Sequence, residues 1–281
     1  MQLYQLLLLL PFTLTAASPL HSRATKPGLA YSPYNADGSC KKPEQVTADL
    51  NKLKGFPLIR SYGTSCDQVK TIIAAAKPIG MKVMLGIYEL GDVSKEISKI
   101  IADVGGNWGS IDSISIGNEH IHNGAISPGD LVAKISAARK QLKDAKINTK
   151  VVATDTFDAI IKYPGVCQAS DFASVNIHPW FDPNTAASTA GQFMKNQIAR
   201  VEKACPGKTI VVAETGWPWK GDTHGKAVAG RQQQETALKE IVKVTGSTGI
   251  FLGPFDDTWK KDNPGSFNAE KWWGIANLGV F

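Results

Sequence analysis

Two glutamates each close a short apolar segment of the chain. Glu119 ends segment 114–119, ISIGNE in one-letter code, and Glu214 ends segment 210–214, IVVAE. Segments this apolar are expected to be buried, and a carboxylate is costly to bury unless it has a partner or a chemical task. A pair of carboxylates from distant parts of a chain is what acid-assisted cleavage of a glycosidic bond requires. Glu119 and Glu214 are therefore the candidate catalytic residues, against the alternative of two buried ion pairs at strand ends.

Segments with strand and helix character alternate along the chain. Runs rich in β-branched and aromatic residues predict eight strands, at residues 29–32, 58–62, 82–87, 111–119, 150–154, 172–178, 209–214 and 249–255. Between these runs apolar residues recur with helical spacing, as at Val46, Leu50 and Leu53. Strands that alternate with helices pair in parallel through right-handed crossovers. Eight such units in about 250 residues predict an α/β fold, a single (β/α)8 TIM barrel.

An open, doubly wound sheet is the alternative architecture for this alternation. That architecture often carries a glycine-rich phosphate loop of pattern GxGxxG after its first strand. Here residues 31–35 read YSPYN, which contains no glycine. The same observation disfavours a nucleotide-dependent enzyme. We therefore expect the closed barrel and no cofactor.

In a barrel of this kind the carboxyl ends of the strands meet at one mouth, where the active site forms. Glu119 ends the fourth predicted strand and Glu214 the seventh, so both are expected to face that mouth. The other residues near strand ends are aromatic rings and hydrogen-bonding groups, which suit the apolar faces and hydroxyl edges of a sugar. Those that we predict to contact substrate are Tyr31, Arg60, Tyr62, Asn118, Asn176, His178, Trp180, Trp217 and Phe255.

A metal site is the competing interpretation of the histidines near these strand ends. Residues 119–122, EHIH, place two histidines beside Glu119, and His178 ends the sixth predicted strand. Histidines and carboxylates are common metal ligands, but histidines on strand-end loops are more often exposed polar residues or ligand contacts. We therefore predict no metal site. For the pair Trp272-Trp273 two interpretations are equally compatible with the sequence, a platform for a sugar ring and a plug that closes the barrel.

The chain begins with an apolar run that includes five consecutive leucines at 6–10, followed by small residues at 15–17. This pattern predicts a secretory signal peptide at 1–17, a short N-terminal segment at 18–26 and one catalytic domain at 27–281. A membrane anchor is the alternative, but the run is shorter than the ~20 residues needed to span a bilayer. We expect a chain secreted to the extracellular space or cell wall, without membrane attachment once the signal is cleaved.

The chain carries a formal net charge of +6 at pH 7. Its lysines are scattered, many of them on predicted helix faces, and such charges are usually solvated rather than part of a nucleic-acid patch. We expect no nucleic-acid partner, and a monomer is the default oligomeric state.

Four cysteines in a secreted chain predict two disulfides. Cys40 and Cys66 follow the first and second predicted strands, so both are expected in loops at the mouth. Cys167 and Cys205 precede the sixth and seventh strands, so both are expected at the opposite end. We therefore predict the pairs Cys40–Cys66 and Cys167–Cys205.

Six motifs in order along the chain resemble glycoside hydrolase family 17, in its fungal cell-wall branch. They are GLAYSPY at 28–34, IRSYG at 59–63, GNE at 117–119, ETGWP at 214–218, FDDTWK at 255–260 and EKWWG at 270–274. GNE alone is a weak match, but GNE and ETGWP together are distinctive. The eighth strand departs from the family, since residues 253–256 read GPFD where the family often has EAFD.

The resemblance implies a (β/α)8 barrel with retaining stereochemistry and activity on β-1,3-glucan. It also implies that Glu119 is the acid/base, that Glu214 is the nucleophile, and that Asn118 holds the 2-hydroxyl of the sugar at the cleavage site. For these roles the two pKa values must separate. A nearby like charge and partial burial raise the pKa of an acid such as Glu119, and Arg60 is expected to keep Glu214 ionised.

Three functions are compatible with the sequence. The first is an endo-acting β-1,3-glucan hydrolase in fungal cell-wall remodelling, and the second is a β-1,3-glucanosyltransferase that uses the same residues. The third is a non-catalytic protein that binds wall glucan, which the presence of both glutamates disfavours. In each case β-1,3-glucan is the expected partner.

Overall fold

A computed structural model describes residues 26–276 and residue 278. Eight strands form one closed barrel, in which every strand pairs in parallel with the next and the last pairs with the first. The strands are β1 (Gly28–Ala30), β2 (Leu58–Arg60), β3 (Lys82–Ile87), β4 (Ile111–Asn118), β5 (Lys150–Thr156), β6 (Ala173–Asn176), β7 (Ile210–Thr215) and β8 (Gly249–Phe251). The prediction of a (β/α)8 barrel is confirmed, and each of the eight predicted strands is present.

Helices connect successive strands on the outside of the barrel. They are α1 (Pro43–Lys52), α2 (Gln68–Ala76), α3 (Val93–Val104), α4 (Pro128–Asp144), α5 (Phe157–Lys162), α6 (Gly165–Ala169), α7 (Ala190–Ala204) and α8 (Arg231–Thr245). Short 3-10 turns lie at Lys77–Ile79, Trp108–Ser110, Pro179–Phe181, Ala187–Thr189 and Gly246–Thr248. Two helices, α5 and α6, follow β5, and in the described part of the chain no α-helix follows β8.

Several strands end earlier than predicted. Strands β1, β2 and β8 have three residues each, and β6 ends at Asn176 rather than at residue 178. Gly253 shows why the predicted eighth strand cannot continue, since its φ of +63° is left-handed and turns the chain out of the strand direction. Tyr31, Tyr62 and Phe255 therefore lie in loops beyond the strands.

Helix α4 shows how the sequence sets an element that supports the barrel. The hydroxyl of Ser127 accepts a hydrogen bond from the backbone N–H of Asp130 at 3.1 Å, which satisfies a donor that the start of a helix leaves unpaired. Pro128 occupies the first turn, where its fixed φ suits a helix start. The buried face consists of Leu131, Ile135, Ala138 and Leu142. These side chains recur at helical spacing and pack in the core outside the strands.

The interior of the barrel changes from apolar to polar along the strands. The end where the strands begin is filled by apolar side chains, which are Ala30, Met84, Val152, Phe172 and Ile250. Further along β5, the hydroxyl of Thr154 lies 2.7 Å from the hydroxyls of both Ser115 and Ser174. These buried hydroxyls precede Asn118 and Asn176 on their strands, so the polar mouth rests on a polar layer.

Both predicted disulfides are present. The bond Cys40–Cys66 joins the loops after β1 and β2, with Cα atoms 5.3 Å apart. The bond Cys167–Cys205 joins the segments that precede β6 and β7, with Cα atoms 6.1 Å apart. One crosslink lies at the mouth and the other at the opposite end, and each ties two neighbouring units of the barrel together.

The predicted signal peptide at 1–17 lies outside the described residues, as does the segment 18–25. The barrel begins at Gly28, just inside the domain predicted from residue 27. Among the residues that the structure describes, no helix has the length and apolar character needed to cross a bilayer.

The chain after β8, residues 252–276, folds back over the mouth; we call it the C-terminal segment. The backbone N–H of Trp219 donates to the carbonyl of Trp272 at 2.9 Å, which ties this segment to the loop after β7. Trp273 packs against His178 with ring centroids 5.4 Å apart. The C-terminal segment thus forms part of the wall of the mouth.

We predict that Gly86→Ala destabilises the barrel. A Cβ atom on Gly86 would lie 2.6 Å from the backbone of Ser61 and Tyr62, because the chain just after β2 lies close to β3 there. Forcing an atom into such a space costs about 1–3 kcal/mol in the free energy of unfolding. Gly91→Ala is the matched control, since a Cβ on Gly91 meets no atom within 4 Å. Urea unfolding of both variants measures the difference, and equal midpoints would contradict the prediction.

Candidate active site

Glu214 lies near the end of β7 and is surrounded by hydrogen-bond donors. Its carboxylate accepts hydrogen bonds from Arg60 Nη1 at 3.2 Å, Tyr62 Oη at 2.6 Å and His178 Nε2 at 3.2 Å. The side chain of Arg60 is 1% exposed, and Nη1 also donates to the carbonyl of Ala213 at 2.7 Å. A buried guanidinium needs a negative partner, and Glu214 provides it.

These contacts keep Glu214 in its charged form. Burial by itself raises the pKa of a carboxyl group. In Glu214 the hydrogen bond from His178, the charges of His178 and Arg60, and the hydrogen bond from Tyr62 outweigh burial and lower the pKa to about 2. Glu214 is therefore a carboxylate above that pH, as a nucleophile must be.

Glu119 follows β4 with an uncommon backbone conformation. Its φ is +59°, in the left-handed region that residues with a Cβ seldom occupy. The backbone N–H of Glu119 donates to the carbonyl of Thr154 at 3.1 Å, and its Oε1 accepts a hydrogen bond from Asn176 Nδ2 at 2.7 Å. Backbone strain of this kind is concentrated at functional sites, and here it occurs at the residue that faces Glu214.

The pKa of Glu119 moves in the opposite direction to that of Glu214. Burial raises the pKa of Glu119, and the negative charge of Glu214 raises it further. The hydrogen bond from Asn176 and the charge of His178 oppose this change without reversing it. The pair can therefore hold one carboxylic acid and one carboxylate at the same pH, which is the division of roles that glycoside cleavage needs.

The separation of the two glutamates also fits one mechanism. A carboxylate oxygen of Glu119, one of Glu214 and a ring nitrogen of His178 all lie within 4.8 Å of one another. Carboxyl groups about 5–5.5 Å apart are typical of retaining glycosidases, whereas inverting enzymes separate them by about 6.5–9.5 Å. The spacing therefore favours direct attack by Glu214 over attack by a water held between the two.

The same three groups have the spacing of metal ligands, but their contacts favour a carboxylate pair. Glu214 already accepts three hydrogen bonds, and the Arg60 cation occupies the position beside it that a metal would have to share. The two histidines of the EHIH segment contact other groups than this pair. His120 Nδ1 lies 3.1 Å from the backbone of Asn118, and His122 Nδ1 lies 3.5 Å from the hydroxyl of Thr156.

Asn118 is oriented by its neighbours. Its Oδ1 accepts hydrogen bonds from Arg60 Nη2 at 2.8 Å and from Asn176 Nδ2 at 3.0 Å. Two donors on the oxygen fix which way the amide points. Asn118 lines the cleft, so its Nδ2 group is available to donate to a ligand hydroxyl there.

Two cavities meet at Glu119 and together form the cleft. The first has a volume of about 860 Å³ and contains both glutamates, and the second has about 600 Å³ and contains Glu119 but not Glu214. His178, Phe181 and Glu270 line both cavities. Aromatic side chains of the first cavity are Tyr34, Tyr62, Tyr88, Trp259 and Trp273. Aromatic rings with hydrogen-bonding groups between them are the composition expected of a sugar-binding cleft.

Two residues predicted to contact substrate are instead part of the packed core. Trp180 and Trp217 are each 0% exposed and pack edge to face with ring centroids 5.2 Å apart. Trp217 Nε1 donates to the carbonyl of Val228 at 3.0 Å. Neither ring lines the cleft, because the loops after β6 and β7 cover both. Their role is to hold those loops together.

Tyr31 and Phe255 also lie away from the cleft. Strand alternation explains the direction of the Tyr31 side chain. Ala30 ends β1 and faces the barrel interior. The N–H of Tyr31 still donates to the carbonyl of Arg60 on β2 at 2.8 Å, so the alternation of the strand continues and Tyr31 faces outward. Tyr31 donates a hydrogen bond to Asp49 Oδ2 at 2.9 Å and packs edge to face against Phe255. Lys41 lies over both rings, 5.3 Å and 5.8 Å from their centroids.

The C-terminal segment contributes residues to which the sequence assigned no role. Lys260 and Glu270 line the first cavity. Burial lowers the pKa of Lys260, but the charges of Asp257, Glu214 and Glu270 raise it overall. In Glu270, which is an acid, burial raises the pKa. Both residues belong to motifs visible in the sequence, but only the folding of this segment over the mouth brings them to the glutamate pair.

The two tryptophans left open by the sequence have different surroundings. Trp273 is 4% exposed, lines the first cavity and packs against His178 and Phe181. Trp272 packs against Trp219 with ring centroids 5.3 Å apart and lines neither cavity. Trp273 is therefore a wall of the cleft, and Trp272 anchors the segment.

Known proteins resemble this chain in sequence and in fold. The family described as BtgE/BtgC glycoside hydrolase domain matches residues 28–274. The chain is 42% identical over 253 residues to "Probable family 17 glucosidase SCW10" of Saccharomyces cerevisiae, covering 89% of this chain and 64% of that protein. It is 38% identical over 251 residues to "Cell surface mannoprotein MP65" of Candida albicans, covering 88% and 66%. The chain thus spans 64% of the length of the first relative and 66% of the second.

A solved structure has the same fold. The glycoside hydrolase family 17 β-1,3-glucanosyltransferase from Rhizomucor miehei superposes with a TM-score of 0.76 at 23% sequence identity, covering 89% of this chain and 92% of that chain. An active-site mutant of that protein was solved in complex with laminaritriose. The barrel predicted from the alternation of strands and helices is thus shared with a protein of known structure. With its family matched from β1 through the C-terminal segment, the chain belongs to the BtgE/BtgC glycoside hydrolase family, within the family 17 glycosidases that its motifs resemble.

Proposed function

We propose that this chain is a retaining glycosidase that cleaves β-1,3-glucan, with Glu214 as nucleophile and Glu119 as acid/base. The observation that carries the proposal is the close glutamate pair with opposite pKa shifts. A buried ion pair at a strand end would explain Glu214 alone. It would not explain a second carboxyl group beside it whose pKa is raised.

The first half of the reaction forms a bond between the sugar and the enzyme. The Glu214 carboxylate attacks the anomeric carbon, and the bond from that carbon to the leaving oxygen breaks. Glu119 gives its proton to that oxygen as it departs. Asn118 Nδ2 is placed to donate to the 2-hydroxyl of the same sugar, an interaction that strengthens in the transition state.

The second half releases the sugar from the enzyme. Glu119, now a carboxylate, takes the proton of an incoming hydroxyl group, whose oxygen attacks the anomeric carbon. The bond to Glu214 breaks, and both glutamates return to their starting states. Arg60, Tyr62 and His178 stabilise the returning charge on Glu214, because they already donate to it in the free protein.

The substrate and the location are inferred from the relatives and from the cleft. The Rhizomucor miehei protein is named a β-1,3-glucanosyltransferase and was solved with laminaritriose, and MP65 is named a cell surface mannoprotein. Two cavities that meet at Glu119 leave room for glucan on both sides of this residue, which supports cleavage within a chain. Disulfides are typical of secreted proteins, which supports a location outside the cell or in its wall.

A second candidate function, transfer of the glucosyl unit to another glucan, is favoured by the cavity that contains Glu119 but not Glu214. The acid/base lies between the sugar whose bond is cleaved and the fragment that leaves or the acceptor that enters. This cavity is therefore where a leaving or accepting sugar would bind. A site that binds an acceptor in place of water favours transfer over hydrolysis.

We predict that the chain converts a linear β-1,3-glucan hexasaccharide to shorter products, and to products longer than the substrate if it also transfers. Mass spectrometry of the products measures both. Glu119→Gln is expected to lower the rate by about 10²–10⁴-fold, and Glu214→Gln by at least as much, because each removes a group that acts in both steps. Glu235→Gln is the control, since Glu235 lies on α8 and, within the described residues, its one ion pair is with Lys239 at the surface. Retention of activity by Glu214→Gln would contradict the assignment.

We predict a bell-shaped dependence of kcat/KM on pH. As pH falls through about 2, Glu214 takes up a proton and ceases to be a nucleophile. As pH rises through the raised pKa of Glu119, the acid is lost, so the alkaline limb lies above the ordinary carboxyl value of about 4.3. Tyr62→Phe removes a donor to Glu214 and is expected to move the acidic limb to higher pH. An acidic limb that does not move in this variant would contradict the role of Tyr62.

We predict that Phe181→Ala reduces transfer more than hydrolysis. Phe181 is 43% exposed and lines both cavities, so its ring is available to an accepting sugar. Loss of an aromatic contact worth about 0.5–1.5 kcal/mol lowers the ratio of transfer to hydrolysis by about 2- to 10-fold. Tyr88→Ala is the matched control, because Tyr88 is 48% exposed but lines only the first cavity. An equal change of the product ratio in both variants would contradict the prediction.

A further inference from the structure

The chain forms a tight turn immediately after Glu119. The backbone N–H of Asn123 donates to the carbonyl of Glu119 at 3.0 Å, and that of Ala125 donates to the carbonyl of His120 at 2.8 Å. At the beginning of such a turn the first backbone N–H groups have no partner within the turn itself. In this turn those groups belong to Ile121 and His122, which must find acceptors elsewhere.

Asp155 supplies both acceptors from the neighbouring strand. Its Oδ2 accepts from the backbone N–H of Ile121 at 2.8 Å, and its Oδ1 accepts from that of His122 at 3.1 Å. Oδ1 also accepts from the N–H of Thr156 at 2.9 Å. Asp155 is 0% exposed, and in the described part of the chain it forms no ion pair. Three backbone N–H groups therefore balance a buried carboxylate that takes no direct part in the proposed reaction.

The turn determines where the Glu119 carboxyl group lies. A left-handed residue with a Cβ persists only when its surroundings hold it there. The N–H of Glu119 is held by Thr154, and the residues on its other side are held by Asp155. Without the hydrogen bonds to Asp155, the backbone of Glu119 can relax from its left-handed φ towards one that residues with a Cβ commonly adopt. This change would move the carboxyl group away from Glu214.

We propose that Asp155 is the positioning residue of Glu119, fixing the acid/base by binding the backbone of the turn that follows it. This inference rests on the proposed function, because it assigns a task to Asp155 only if Glu119 donates a proton to a leaving group. Burial raises the pKa of Asp155, and its hydrogen bonds from Ile121, Thr156 and His122 oppose this rise without reversing it. Those opposing effects are consistent with a carboxyl group kept for its contacts rather than for access to solvent.

A positioning role makes a prediction that a general structural role does not. A sugar leaving group needs a proton from Glu119, whereas 2,4-dinitrophenolate departs without one. A displaced acid should therefore slow attack on a glucan oligosaccharide but not on a dinitrophenyl glycoside. The quantity to compare is kcat/KM, because it reports the first step alone, in which the leaving group departs.

The test compares Asp155→Asn with the unaltered chain on laminarihexaose and on 2,4-dinitrophenyl β-laminaribioside. The variant keeps the shape of Asp155 but turns one acceptor into a donor facing an N–H group. We expect kcat/KM to fall about 100-fold on laminarihexaose, as for a catalytic group displaced by about 1 Å, and by less than about 3-fold on the activated substrate. Glu119→Gln should show the same contrast between substrates.

Two further variants keep the test decisive. Asp155→Ser retains one acceptor and carries the comparison if Asp155→Asn does not fold, as judged by circular dichroism. Asp171→Asn is the control, because Asp171 Oδ2 accepts from the N–H of Val151 at 2.6 Å at the opposite end of β5, and it should leave both rates near those of the unaltered chain. Equal losses on both substrates would overturn the role of Asp155, whereas an unaltered chain that processes neither substrate would overturn the proposed function itself.

Discussion

The buried guanidinium of Arg60 links three strands of the barrel at the point where the cleft begins. From β2 it donates to the carbonyl of Ala213 and the carboxylate of Glu214 on β7, and to the amide oxygen of Asn118 on β4. A cation buried to this degree is tolerated only when its charge has a negative partner, and Glu214 is that partner. The contacts of the two terminal nitrogens of Arg60 set the ionisation of Glu214 and the orientation of Asn118 together. Two features of the site that would otherwise need separate explanations thus have one cause.

The barrel below the site shows how such a charge can be accommodated. Apolar side chains fill the end where the strands begin, and the hydroxyls of Ser115, Thr154 and Ser174 come next. Buried polar groups are costly unless they are hydrogen-bonded, and these hydroxyls satisfy one another. They lie between this apolar layer and the polar side chains of Asn118 and Asn176 further along β4 and β6.

Local sequence signals predicted the order of the elements, and the geometry of a barrel then predicted which of them meet. The eight strands, the disulfides Cys40–Cys66 and Cys167–Cys205, and the meeting of Glu119 with Glu214 all follow from element order and from the geometry of a barrel. The prediction was wrong where the direction of a single side chain mattered. Tyr31 faces outward by strand alternation, and the loops over β6 and β7 bury Trp180 and Trp217.

The residues that the sequence left unassigned depend on long-range folding. Lys260, Glu270 and Trp273 reach the cleft because the chain after β8 turns back over the mouth. No periodicity within that segment indicates the turn. The segment is held by contacts to other loops, such as the hydrogen bond between Trp219 and Trp272, and contacts between distant loops are not visible in a local pattern.

The two cavities share Glu119, and under the proposed function this has a kinetic consequence. The cavity beyond Glu119 holds first the departing fragment and afterwards the acceptor, so the two must occupy it in turn, as in a ping-pong sequence. A fragment that lingers can attack the glucosyl-enzyme and re-form the original bond, which leaves no net change. The balance between hydrolysis, transfer and this silent reversal is then decided by how fast the cavity empties and refills, and therefore by the local concentration of glucan.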